Sequence, residues 1–391
     1  MKKSTLVNHP PTVQVPADNH PVVAPIHQTV KFEFETVEET LRALRGERPG
    51  FFYLRSSNPT TRALELTLAQ LQGREDCVVC GSGVGAIAQT LLSLTRAGDH
   101  VLCFIETYGP TRQLIRRTLG KYGVTHTMLS IEDLAGIEQV LASRPTRLIV
   151  FESPTNPVNK IADLAAITRL ARTHGALTVL DNTFAGVHQH GQYEIDIYLH
   201  SLTKFVSGHG DVMGGAAIAN AGLIRTLRPD FTLLGSVLDP HAAFLLQRGL
   251  KTYFLRYQAQ CVSAQRIAEF LAAHPAVERT HYPGLATFPG HALARSQMSE
   301  FGSIVSFDLA SAEAGRCFAE GLQLFSMAAS LGATESLVMP PQMLGSRDSN
   351  DELQTASGIR AGTVRLSIGL EDIDDLIEDL NQALQAAQNV Y

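Results

Sequence analysis

The chain has 391 residues, 45% of them apolar and 18% charged, enough to bury a core in two or three domains and too apolar for a disordered chain. A net charge of −6 gives no support to a polyanion-binding surface. The first twenty residues carry Lys2 and Lys3 but lack the apolar stretch of a secretory signal, so a cytoplasmic protein is expected.

In chain order, an N-terminal arm rich in Pro and His comes first, with a helical patch near Glu35 to Arg45 and too little apolar periodicity to fold alone. The uncharged run Cys77 to Thr95 is broken by three glycines and by polar residues, which fits a buried strand, turn and helix better than a membrane span. From about residue 76 to 220, short apolar runs alternate with longer amphipathic ones. Candidate strands cover 77–80, 100–104, 125–129, 147–151, 177–180, 196–200 and 215–219, and helix-sized segments cover 84–96, 110–121, 131–143 and 161–173. That rhythm predicts a mostly parallel sheet covered on both faces, with function at the strands' carboxyl ends. After Gly249 the pattern changes. A long helix over about 255–273 precedes strands near 276–281 and 303–308, helices near 312–320 and 371–386, and a strand at 364–368, which predicts a smaller α+β domain. Met339 to Gly358, rich in Pro, Gly, Ser, Asn and Asp, reads as a long functional loop.

The five cysteines are odd in number and scattered, so reduced core thiols are expected; the Cys77-x-x-Cys80 pair encloses a strand-like Val-Val. His188-x-His190 and His209-x-Asp211 have metal-like spacing without a consistent third ligand, and no metal is expected.

Chemistry-bearing residues cluster after predicted strands. Gly81-Ser82-Gly83-Val84-Gly85-Ala86 opens a helix, so its backbone N–H groups can converge on a phosphate; it also fits the loose dinucleotide pattern G-x-G-x-x-A, leaving a Rossmann NAD(P) or FAD oxidoreductase open. Glu152-Ser153-Pro154-Thr155-Asn156-Pro157 is a proline-stiffened turn that can aim Asn156 into a crevice. Asp181 closes an apolar strand and can either cap the next segment or hold a pyridine nitrogen protonated. Ser201 and Thr203 share a face if the chain is extended there. Lys204 follows; a lysine at a strand end is ordinarily solvated, but a small, polar, glycine-flanked setting weakens that reading, and a desolvated lysine can form an imine. Arg365, in the apolar run VRLSI, needs an anionic partner that a substrate carboxylate can supply.

With SLTKFVSGHGD around Lys204, the segments YLRSSNPT (53–60), SGVGAI (82–87), ETYGPT (106–111), ESPTNP (152–157), DNTF (181–184), RGLKT (248–252), YPGL (282–285), SLGATESL (330–337) and VRLSIGLED (364–372) make the chain resemble the transsulfuration (Cys/Met metabolism) family of pyridoxal-phosphate (PLP) enzymes from about Pro25 to the C-terminus. The group includes cystathionine γ-synthase, cystathionine lyases and methionine γ-lyase. The resemblance favours PLP over a dinucleotide. It implies an α/β fold of PLP fold type I, like aspartate aminotransferase. An arm over 1–55 would contact a neighbouring subunit, a PLP-binding large domain over 56–245 would hold a seven-stranded, mostly parallel sheet, and a smaller α+β domain would follow over 246–391. Lys204 would carry the cofactor and move protons, and Tyr108 would stack on its ring and assist proton transfer at substrate binding. Asp181 would pair with the ring nitrogen and Asn156 would sit near the ring hydroxyl. Gly83 and Val84, through their N–H groups, would hold the phosphate with Ser201 and Thr203. Tyr53 and Arg55 would reach the neighbouring subunit's phosphate, in a homotetramer built as a dimer of dimers. Arg365 would clamp the substrate carboxylate beside Ser330.

The implied activity is β- or γ-elimination, or γ-replacement, on sulfur amino acids or activated homoserine. C–S lyase or cystathionine-forming or -cleaving chemistry comes first, and sulfide-fixing acylhomoserine chemistry or methionine γ-lyase second. Against the family pattern, Ala329 replaces a Glu that would meet a distal ammonium, Pro110 stands where methionine γ-lyases usually have Cys, Gln113 and Arg112 shift the usual Asn-Arg, Met339-Pro340 replaces His-Pro, and Val30-Lys31 replaces Ser-Thr.

Overall fold

The apolar runs of the first half form one seven-stranded sheet, in the order β1-β7-β6-β5-β4-β2-β3. In this computed structural model, which describes residues 2, 16, 18–345 and 356–388, the strands are β1 (Asp76–Cys80), β2 (His100–Phe104), β3 (Thr125–Leu129), β4 (Leu148–Glu152), β5 (Leu177–Asp181), β6 (Ile197–Ser201) and β7 (Gly215–Ala219). Only β7 runs against the others: it pairs antiparallel with both β1 and β6, while β2 through β6 pair in parallel. The carboxyl ends of β1 to β6 therefore share one edge.

Period-2 alternation explains why these strands read as continuous apolar runs. Leu102, Phe104, Ile149, Phe151, Leu180 and Tyr198 enter the core on one face. Val101, Cys103, Leu148, Val150, Val179 and Leu199 enter the core on the other, so both faces are buried under helices. Cys77 and Cys80 fall on opposite faces for the same reason. Four of the five cysteines are buried and all are free thiols, and burial pushes Cys80 up to about 11 and Cys103 up to about 12.

The helices largely follow the expected segments, with displaced starts. Val37–Leu44 is capped by Thr36, and Leu164–Thr173 begins after Asp163, whose carboxylate accepts from the Ala166 N–H at 2.9 Å. The segment 110–121 is a short α-helix, Gly109–Gln113, continued by a π-helical stretch, Leu114–Leu119. Helices Pro59–Gln72, Ala221–Leu234 and Pro240–Leu250 were not expected from the pattern. The helix Tyr253–Ala273 leads into a second sheet of order β10-β11-β12-β9-β8, with strands β8 (Arg279–His281), β9 (Ile304–Asp308), β10 (Ser326–Met327), β11 (Leu337–Met339) and β12 (Thr363–Ser367). It has its own core, in which Val305, Phe307, Val364 and Leu366 meet Leu376 and Leu380 of the helix Ile373–Gln388.

The stretch expected as one long loop, Met339 to Gly358, begins instead as the end of β11 and a short helix, Pro341–Gly345; residues 346–355 of it lie outside the described residues. Residues 1, 3–15 and 17 of the expected arm also lie outside them. Among the described residues, no helix is long and apolar enough to cross a membrane, and no group of three His, Cys, Asp or Glu could hold a metal ion. His188 meets the Tyr253 hydroxyl at 2.8 Å and Glu300 at 3.3 Å, and His209 meets the Ser207 carbonyl at 2.6 Å.

Candidate active site

Cys80 and Ser201, the last residues of β1 and β6, flank Gly215 of β7. That places the glycine loop after β1 beside the turn after β6. Ser82 caps the helix Gly83–Leu94, its hydroxyl accepting from the Gly85 N–H at 3.0 Å. Glycine is required by close approach: a Cβ on Gly83 would lie 2.7 Å from Ser201 Cβ and 3.0 Å from Ser201 Cα. The first N–H groups of this helix lack intrahelical partners and carry the positive end of its dipole. Together with the Ser201 and Thr203 hydroxyls they can form an anion cradle beside a cavity of about 230 Å³ that these residues border. Ser201 ends β6, whereas Thr203 and Lys204 lie in the turn that follows rather than in extended chain; all three border the cavity.

Asp181, which also borders the cavity, ends β5. Its carboxylate accepts from the Thr183 hydroxyl at 2.6 Å and the Thr183 N–H at 3.1 Å. Burial pushes its pKa up, while the Thr183 hydrogen bonds and the Lys204 charge pull it down. Glu152, one strand over and in register with Asp181, is pushed up to about 8, first by burial and then by the Asp181 charge. The Lys204 ammonium donates to the Ser330 hydroxyl at 2.8 Å. Ser330 has a φ of 113°, a backbone region that residues with a Cβ rarely adopt. Arg365 of β12 is buried and donates to the Ser330 carbonyl at 2.7 Å and to Asn156 Oδ1 at 3.0 Å. Tyr108 borders the cavity, and its backbone N–H donates to Glu152 at 3.2 Å.

The structure thus brings Gly83, Val84, Tyr108, Asn156, Asp181, Ser201, Thr203, Lys204, Ser330 and Arg365 to one cavity. Tyr53 and Arg55 do not border it. They lie exposed on the arm beside the Lys31 to Tyr53 bridge, the Arg55 guanidinium 5.7 Å from the Tyr53 ring centroid. Two further residues emerge. Thr183 hydrogen-bonds Asp181 and accepts from the Ser201 N–H at 2.9 Å, so it links β5 to β6; its signal was the Asp-x-Thr spacing of a local side-chain turn. Glu152 belongs to a quoted motif that assigned it no role.

The topology also decides between the two uses of the glycine loop. In a dinucleotide site the fingerprint strand lies within a parallel sheet, whereas β1 is, among the described residues, an edge strand whose sheet neighbour, β7, is antiparallel. A mostly parallel sheet with an anion cradle, a strand-end carboxylate and a lysine at one cavity defines a PLP-dependent enzyme of fold type I.

The comparisons narrow the class. The family model described as "Cys/Met metabolism PLP-dependent enzyme" matches residues 5–385. The chain is 44% identical to L-methionine gamma-lyase of Pseudomonas putida, over 94% of this chain and 93% of that one. It superposes on the crystal structure of cystathionine gamma synthase from Xanthomonas oryzae pv. oryzae with a TM-score of 0.89 and 35% identity, covering 95% and 94% of the two chains. A putative O-acetylhomoserine (thiol)-lyase from Campylobacter jejuni, solved with a pyridoxyl-lysine phosphate, gives 0.88 and 32%, covering 93% and 96%. The chain belongs to the Cys/Met metabolism family of PLP-dependent enzymes.

Proposed function

We propose that this chain breaks the carbon–sulfur bond of a thioether amino acid whose sulfur carries a small uncharged group, as in methionine, with Lys204 as the proton-moving base. The observation that carries the substrate class is a second hollow of about 60 Å³, which shares Tyr108, Asn156 and Arg365 with the main cavity and is lined by Pro110, Met339, Leu344 and Ile359 together with Glu106, Thr107, Arg112 and Ser357. Of its charged lining residues, Glu106 is engaged by Lys160 at 3.0 Å, the Ser130 hydroxyl at 2.9 Å and the Ile131 N–H at 3.0 Å, and Arg112 donates to the Ile105 and Thr107 carbonyls. With those charges engaged, the apolar side chains leave room for an uncharged tail, and Ala329 offers no partner for a distal ammonium. Similarity to a methionine γ-lyase supports the same reading.

The residues present fit PLP. The Gly83 and Val84 N–H groups with Ser201 and Thr203 suit a phosphate, and Asp181, raised by burial, suits a ring N–H⁺ that would restore its charge. Bound PLP supplies an electron sink that acidifies the carbons next to it. Lys204 takes the Cα proton and returns it further along the chain, with Ser330 orienting its amine. Arg365 clamps the substrate carboxylate and Asn156 braces that guanidinium. Tyr108 would stack on the cofactor and assist proton transfer at substrate binding, and Tyr53 and Arg55, exposed on the arm, would help hold the phosphate of a second subunit's cofactor. A homotetramer with shared active sites belongs to the same proposal, as does a cytoplasmic setting, which the buried free thiols support.

A substrate panel tests this. Methionine, cystathionine, cysteine, and acylhomoserine with sulfide or cysteine are each scored for 2-oxobutyrate, pyruvate and new thioether. The proposal expects methionine and water to give 2-oxobutyrate, ammonia and methanethiol. Turnover confined to cystathionine, or to thioether formation from acylhomoserine, would overturn it.

A further inference from the structure

Glu152 is a buried carboxylate at the end of β4 that the chemistry above does not use. It nevertheless lies at the junction of the groups that do the work. One oxygen accepts from the Tyr108 N–H at 3.2 Å and the other from the Asn156 N–H at 2.8 Å. Tyr108 starts the helix Gly109–Gln113, whose Arg112 folds back onto the carbonyls of Ile105 and Thr107. Asn156 in turn accepts from Arg365, which is fixed to the Ser330 carbonyl. A continuous run of contacts thus joins Tyr108, Glu152, Asn156, Arg365 and Ser330 around one side of the cavity, ending 2.8 Å from the Lys204 amine.

We infer that Glu152 is a positioning residue: its two oxygens set the distance between the Tyr108 segment and the Asn156–Arg365 pair, and so couple capture of the substrate carboxylate to the placement of Tyr108. The inference rests on the proposed roles of Tyr108 and Arg365. The cost of keeping a carboxylate here supports it. Burial and Asp181 in the neighbouring strand both oppose the charge, and the two N–H bonds, with Arg112, are what favour it. Once ionised, above its pKa of about 8, the carboxylate accepts at both oxygens, whereas an amide accepts at one and turns an N–H toward the other donor.

The test is Glu152→Gln in the holoenzyme at about pH 9, where the carboxyl is ionised, with Glu152→Asp beside it. Losing a hydrogen bond to a charged acceptor is worth roughly 10- to 100-fold, and the loss falls on binding. The expected result for E152Q is a rise of about tenfold or more in KM, kcat within about threefold, PLP affinity of the apoenzyme nearly unchanged, and an equally weakened Kd for L-alanine, read from the cofactor absorbance. Glu152→Asp keeps the charge but is one methylene short of holding both N–H groups, so KM should rise by about threefold or more; it carries the test if E152Q is not recovered folded. A residue that merely supports the fold would lower the melting temperature and PLP retention and leave KM and the alanine Kd alone, and that result overturns the inference. If the unaltered enzyme turns over thioether amino acids while both variants match its KM, the positioning role alone fails. An unaltered protein that takes up no PLP fails at the proposed function itself.

Discussion

Gly83→Ala is the smallest change that separates the anion cradle from the rest of the fold. The added Cβ would lie 2.7 Å from Ser201 Cβ, 2.9 Å from Ser201 Oγ and 3.0 Å from Ser201 Cα. The hydroxyl can rotate, but Cα and Cβ belong to the end of a strand held on both sides. Carbon atoms rest at about 3.5–4.0 Å, so the start of the helix Gly83–Leu94 must retreat by about 1 Å. Overpacking of this size costs about 1–3 kcal/mol, and a 1 Å misplacement of a positioned group costs on the order of 100-fold. The assay is titration of the apoenzyme with PLP, followed by absorbance, beside a thermal melt. Gly83→Ala is expected to weaken PLP binding by about 10- to 100-fold. Gly120→Ala, with nothing within 4 Å of the new Cβ, is expected to bind PLP normally. Wild-type PLP affinity in Gly83→Ala would refute the cradle.

Arg365→Ala is expected to raise KM by about 30-fold or more, with a smaller effect on kcat, because a buried charge-assisted pair with the α-carboxylate is lost; the variant should also lose discrimination between an amino acid and its carboxamide, and retained discrimination would move the clamp elsewhere. Acid lability is expected from His190 and His200, both pushed down to about 3 by burial, with neighbouring histidines adding. The unfolded chain takes up these protons near pH 6.5 and the folded chain does not, so their stability is complete above that pH and is lost as pH falls toward 3, at about 1.4 kcal/mol per unit for each. His200 Nε2 lies 2.7 Å from Gln72 Oε1, a contact a glutamine can replace. Denaturant melts from pH 6.5 to 5 should therefore show a shallower decline in His200→Gln; equal slopes would contradict the assignment.

The large sheet was legible in the sequence because its inner strands are five-residue, largely apolar runs buried on both faces, so little polar alternation blurred them; the edge strand β3, THTML, is the exposed exception. The helix Pro59–Gln72 was not, because its buried face includes Thr60, Thr61, Glu65 and Gln72 and leaves too thin an apolar stripe to register. Pro229 hid the helix Ala221–Leu234 in the same way. Within the cavity, residues following strand ends were legible from their chemistry. Glu152 was not, since a carboxylate closing a strand looks solvated until the neighbouring strand places Asp181 beside it. The φ of Ser330 leaves no mark in a sequence because only glycine advertises that region.

The central claim is that PLP is carried by the Lys204 amine. The measurement that meets it directly is borohydride reduction of the yellow holoenzyme, followed by digestion and mass analysis. The account predicts a pyridoxyl phosphate mass on the peptide containing Lys204, with no fixed label and turnover down by several orders of magnitude in Lys204→Ala. Label on another lysine, or near-normal turnover in that variant, would contradict it.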